Sequence, residues 1–182
     1  MTRLSIGLDS WIIQDGNYSD FHRDQDATFA LEYPLSARIS RNRKPLLEHI
    51  EQCRYRVNGC VIFENPGVWV LDFGVKAYEN RKPPPFAKSG TWIEGEISIG
   101  IDPFFYFEEL NRIPNMPKLL YNWRIDKITL DTTPWIEFVR EGGGINLERD
   151  ISRQSFRELE KTDAWKDDAG RSSYLLECIK QA

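Results

Sequence analysis

The stretch RYRVNGCVIFENPGVWVLDFGV, residues 54–75, decides the fold. Tyr55, Val57, Gly59, Val61 and Phe63 alternate with Arg54, Arg56, Asn58 and Cys60, which is the two-residue period of a strand with one buried face. Asn65-Pro66-Gly67 interrupts the pattern before a second apolar run from Val68 to Val75. Proline presets φ at the second position of a turn and glycine accepts positive φ at the third. The spacing therefore predicts a hairpin closed by a type II turn.

The same rhythm recurs on both sides of this hairpin. Leu4, Ile6, Leu8 and Ile12 alternate with polar or small partners, and Phe29, Leu31 and Tyr33 face away from Ala30 and Glu32. From Thr91 to Ile101, Ile93, Ile97, Ile99 and Ile101 oppose Trp92, Glu94, Glu96 and Ser98. Leu119, Tyr121, Trp123 and Ile125 lie on one parity and Ile128 and Leu130 on the other, so a bulge near Asp126-Lys127 is required to keep one face buried. Trp135 to Val139 and Tyr174 to Ile179 complete the expected strands. Gly142-Gly143-Gly144, which lacks the lysine and hydroxyl of a phosphate loop, reads as a turn.

Helical signals are few. Asp102-Pro103 suits the start of a short helix through Phe104–Leu110, and Pro45 to Ile50 suits a helical turn. Phe156, Leu159 and Trp165, with Arg157, Glu158, Glu160 and Lys161 outward, predict a short helix near the C-terminus. The expected architecture is all-β and mainly antiparallel: a barrel or two-layer sandwich of roughly eight or nine strands with one or two short helices, in a single domain over residues 1–182.

Composition sets the outer limits. At 41% hydrophobic and 29% charged residues the chain can bury a core, and ten phenylalanines, seven tyrosines and six tryptophans favour pleated surfaces. The formal charge of −4 argues against a surface built throughout to neutralise phosphates. No apolar run approaches a membrane span, and Cys53, Cys60 and Cys178 show neither disulfide nor zinc spacing, so a cytoplasmic protein without a membrane partner is expected.

Candidate sites follow from the strand faces. Glu94 and Glu96 share one face, about 6.5–7 Å apart along a strand, which is compatible with acid and base roles in a carboxylate-based hydrolase. Arg38, Arg41, Arg43, Lys44, Arg54 and Arg56, bracketed by Tyr33 and Tyr55, offer charge and stacking rings for single-stranded nucleic acid. Trp92, on the face of Glu94 and Glu96, is either a stacking ring for a ligand or is covered by the C-terminal helix. Asp15, Asn17, Ser19 and Asp26 resemble a calcium loop, but Asp20 stands where the sixth-position glycine belongs. His22 and His49 have no metal-spaced partner, and Cys53 and Cys60 suit packing.

No nucleophile, base and orienting group stand at recognisable spacing. The sequence thus points first to a non-catalytic binding or interaction module using Arg54, Tyr55, Arg56, Trp92, Glu94 and Glu96, with no cofactor and no metal. Its partner is an unnamed protein or small molecule, or a second copy of the chain. The nucleic-acid barrel and the hydrolase are the alternatives.

Overall fold

The computed structural model describes residues 2–139 and 144–181; Gly142 and Gly143 of the glycine turn lie outside them. In chain order the elements are β1 (Arg3–Asp9), α1 (Ser10–Gln14), β2 (Asp26–Phe29), β3 (Leu31–Glu32), β4 (Leu35–Ile39), β5 (Leu46–Glu51), β6 (Arg54–Asn65), β7 (Val68–Asp72) and β8 (Lys76–Glu79). There follow β9 (Trp92–Ser98), β10 (Gly100–Ile101), α2 (Phe105–Glu108), β11 (Tyr121–Asp131), β12 (Trp135–Val139), β13 (Ile145–Arg149), β14 (Phe156–Leu159) and β15 (Ser173–Lys180).

Thirteen strands form one mixed sheet in the order β14-β11-β15-β1-β10-β3-β8-β7-β6-β9-β4, with β2 beside β11 and β5 beside β6. Pairing is antiparallel except at β1–β10 and β3–β8. β12 and β13 pair antiparallel in a separate two-stranded sheet. No closed barrel forms, and the expected eight or nine strands undercount the fifteen among the described residues.

The sheet nevertheless folds back on itself through one segment. β9 lies between β6 and β4, whereas β10, two residues further on, lies between β1 and β3. Ile99 joins these wings: its N–H donates to the Cys53 carbonyl (2.9 Å) and its carbonyl accepts from the Gly7 N–H (2.9 Å). The Tyr55 hydroxyl accepts from the Ser5 N–H at 2.6 Å, occupying a backbone donor on β1.

Burial follows the alternation. Leu4, Ile6 and Leu8, Tyr55, Val57 and Val61, Ile93, Ile97, Ile99 and Ile101 all enter one core with Trp69 and Trp123. Val68-Trp69-Val70-Leu71 is an unbroken apolar run because both its faces are covered. Trp69 and Leu71 face that core, while Val68 and Val70 join Ala30, Tyr78, Tyr106, Leu110 and Leu119 in a second cluster. Asp102 accepts the Tyr106 N–H at 3.2 Å and the Tyr78 hydroxyl, but the N-cap of α2 is Phe104, at positive φ, so the helix is shorter than the Phe104–Leu110 expected and starts one residue later.

The register of β11 on β15 shifts between Ile125 and Lys127, where the change of parity requires it. Four local expectations are corrected. The hairpin turn at Asn65-Pro66-Gly67 forms, with Asn65 opposite Val68, but Gly67 does not adopt positive φ, so the turn is not type II. Ile12 lies in α1 and not in a strand. Pro45–Ile50 is not helical: Leu46–Glu51 pairs with β6.

Phe156–Leu159, read as a helix, instead lies along β11 with Leu159 opposite Ile128. Its helix-like charges are only a weak preference, and ladder hydrogen bonds on an open edge outweigh it. Trp165, expected in the same helix, is 68% exposed and is not the buried ring that reading requires. No helix among the described residues is long and apolar enough to cross a membrane.

Candidate binding groove

The wing of β5, β6, β9 and β4 gathers most of the predicted site. In register, Asn58 stands between Leu46 of β5 and Glu94 of β9, and Arg56 stands between Glu48 and Glu96. Arg38 of β4 lies opposite Glu94 from the other side. Because successive side chains alternate, Arg54, Arg56, Asn58, Trp92, Glu94 and Glu96 share this outer face. Tyr55 does not: it is 3% exposed, its ring is in the core and its hydroxyl is held by Ser5. Tyr33 is also buried, so the basic stretch has neither of the stacking rings expected for nucleic acid.

The arginines and glutamates form a ladder of ion pairs. Arg38 Nε contacts Glu94 at 2.8 Å, Arg54 contacts Glu96 at 2.9 Å and also Glu51, and Arg56 contacts Glu48 at 3.0 Å. All are solvent-accessible and each contributes at most about 1 kcal/mol. Their effect is on charge and orientation. The Ser40 hydroxyl, with the Arg38 guanidinium beside it, holds the Glu94 carboxyl below the usual carboxylate range. A glycosidic general acid needs the opposite shift.

Between these strands lies a groove of about 530 Å³, lined by Arg38, Asn42, Leu46, Arg56, Asn58 and Glu94 among others. Asn58 is the buried polar member of this lining. It is 2% exposed, and its Nδ2 donates to the carbonyls of Asn42 (3.0 Å) and Lys44 (2.7 Å). Two carbonyl acceptors require the amide nitrogen there, so the orientation is set by chemistry and Oδ1 must point elsewhere. That oxygen has no hydrogen-bond partner in the protein. A buried acceptor without a donor is costly and rare.

The wall above Asn58 is equally defined. Ser40 N–H donates to the Trp92 carbonyl (2.8 Å), Ser40 Oγ donates to Glu94 (2.8 Å), and Asn42 Oδ1 accepts the Lys44 N–H (3.2 Å). Residues 40–44 are thereby tied to both β9 and β6. Strand periodicity places Asn58 beside Arg54 and Arg56, but nothing local reveals that a loop fourteen to sixteen residues away claims its amide nitrogen.

A second depression, about 260 Å³, opens over Gly7 and Gly100 and is walled by Asp9, Trp11, Glu32 and Phe156. Burial, with Asp102 and Asp9 nearby, pushes the Glu32 carboxyl up to about 7. Cys53, at its rim, has a thiol raised by burial, opposite to the shift that activates a nucleophile. Asp26 of the calcium-like loop lies in β2 near Arg124 (3.6 Å), and His49 contacts the Gln52 carbonyl. Among the described residues no group of three His, Cys, Asp or Glu side chains is placed to hold a metal. Comparison with protein-family models, curated proteins and solved structures found no match to this chain.

Proposed function

We propose that this protein is a non-catalytic binding module whose ligand lies in the groove over β5, β6, β9 and β4. The observation that carries the reading is the groove itself, about 530 Å³ and lined by charged and amide side chains, Arg38, Asn42, Arg56, Asn58, Glu94 and Glu96, from three strands and a loop. Glu94, which lines the groove, is held ionised, and the groove's Arg38 and Arg56 are each engaged by a carboxylate. That favours recognition over hydrolysis. Burial of Tyr33 and Tyr55 leaves the nucleic-acid alternative with less support, although Arg41, Arg43 and Lys44 remain exposed beside the groove. The three cysteines are free, in keeping with a cytoplasmic setting.

A small-fragment screen read by amide chemical shifts tests this. Hits should move the backbone resonances of residues 56–58 and 94–96. A screen whose hits all map to other surfaces contradicts the reading.

A further inference from the structure

We propose that the outer edge of β4 takes an extended acidic peptide of a partner protein as an added strand; this surface is distinct from the groove and does not depend on it. β4 pairs with β9 at all five positions, from Leu35 opposite Ile97 to Ile39 opposite Ile93, and no other strand among the described residues pairs with it. The Ser40 N–H donates to the Trp92 carbonyl at 2.8 Å, which makes theirs a hydrogen-bonded pair. Such pairs alternate along an antiparallel ladder, so Ser36 and Arg38 also bond to β9. Leu35, Ala37 and Ile39 therefore turn their N–H and C=O groups to the open side. The far side of β9 agrees: the Ile99 N–H donates to the Cys53 carbonyl, which puts Ile93, Gly95 and Ile97 in bonded pairs with β6.

Other open edges carry features that oppose strand addition. β5 is broken by a bulge between His49 and Glu51 and bears Glu48 and Glu51, and β2 and β14 are four residues long. β4 is regular. Its Ile39 shares the core-facing side with Ile93 yet is 59% exposed, at the rim of the core. An apolar side chain opposite Ile39 on an added strand would cover it.

Charge identifies the occupant. Residues 38–44 hold Arg38, Arg41, Arg43 and Lys44 and no acid, on a chain of formal charge −4. The glutamates of the adjoining strands are already taken: Glu94 by Arg38, Glu96 by Arg54 and Glu48 by Arg56. Arg41, Arg43 and Lys44 are exposed, and no carboxylate among the described residues pairs with them. Their loop is held in place by the bonds from Asn58 to the carbonyls of Asn42 and Lys44, so little backbone order is lost on binding. Main-chain hydrogen bonds along β4 give affinity, and the unmatched cations beyond Ile39 select acidic residues. Single-stranded nucleic acid would answer the charge but not the alternating backbone groups, and Tyr33 and Tyr55 are buried away from it.

The test is fluorescence anisotropy of the intact protein with synthetic peptides of alternating valine and threonine that carry a run of glutamates at one end or the other. Lysine-ended counterparts and a labelled oligothymidylate run in parallel, and amide chemical shifts locate the binding. At least one glutamate-ended peptide should bind saturably, more weakly as salt rises, and move residues 35–39; lysine-ended peptides should bind at least about tenfold more weakly. Ala37→Pro, which removes an outward N–H where an edge strand accepts proline, should abolish binding. Arg41→Glu combined with Arg43→Glu, on exposed side chains, should weaken the glutamate-ended peptide about tenfold and keeps the test valid should the proline variant misfold. Shifts confined to β5 or β14, oligothymidylate binding without peptide binding, equal affinity for glutamate and lysine ends, or silence in every arm each overturn the assignment. So does light scattering that shows a dimer dissolved by Ala37→Pro, since a second copy then occupies the edge. The groove is judged separately, by the fragment screen over residues 56–58 and 94–96.

Discussion

Single residues carry most of the functional argument. Asn58 is held by two donated hydrogen bonds and left with one unfilled acceptor. Asn58→Asp keeps the shape but sets a carboxylate oxygen against the carbonyls of Asn42 and Lys44. It should destabilise the protein by about 2 kcal/mol or more at neutral pH, measured by urea unfolding, since a buried charged group without a donor is costlier than a neutral one. A loss below about 0.5 kcal/mol would refute the assigned amide orientation.

Glu32 supplies a second residue-scale prediction, independent of the groove. Its carboxyl titrates near 7 when folded against an ordinary value of 4.5, because burial, then Asp102 and Asp9, disfavour the charged form. The folded state therefore binds a proton that the unfolded chain has released across this window. Stability from this group is full below pH 4.5 and lost as pH rises through 7, by up to about 3 kcal/mol. Glu32→Gln should be more stable than the wild type at pH 7.5 and gain nothing relative to it at pH 4. Parallel stability–pH curves for the two proteins would show that Glu32 is not shifted.

At the scale of elements, the β6–β7 hairpin provides a paired test of packing. A Cβ on Gly59 would lie 2.8 Å from both the Asp72 carbonyl oxygen and Leu71 Cγ, whereas one on Gly67 meets nothing within 4 Å. Gly59→Ala should cost about 1–3 kcal/mol in thermal or urea unfolding, while Gly67→Ala, at ordinary φ, should be neutral or slightly stabilising. The reverse order would mean that the register of the hairpin is wrong.

The position of this hairpin was legible in the sequence because the alternation breaks at Asn65-Pro66-Gly67, although the turn type and the register shift after Val61 were not; the bulge after Ile125 was legible because parity changes there. Phe156–Leu159 was not. Four charged residues around two apolar ones satisfy a helical period, and only the edge of β11, almost thirty residues earlier in the chain, makes them a strand. In the groove, periodicity placed Arg54, Arg56, Trp92, Glu94 and Glu96 on one face. Tyr55 is an odd-numbered neighbour on β6, so the same periodicity sends it inward.

For the whole molecule, the decisive feature is the way residues 92–101 serve both wings of one sheet without closing a barrel. Strand order is set by distant pairings such as β1 with both β10 and β15, which sequence spacing does not encode. The Tyr55 hydroxyl, bonded to both Ser5 backbone groups, links the wings at the groove's underside. Tyr55→Phe should lower stability by about 1–2 kcal/mol by leaving the Ser5 N–H without that acceptor. Hydrogen exchange at the Ser5 amide should accelerate; unchanged protection would show that the two wings are not joined there.

The groove is the centre of the account, and a crystal structure of the protein soaked in a cocktail of small polar fragments tests it most directly. A fragment should occupy the groove in contact with Arg38, Arg56, Glu94 or Glu96. Fragments bound only at other surfaces, with none above β6 and β9, would contradict it.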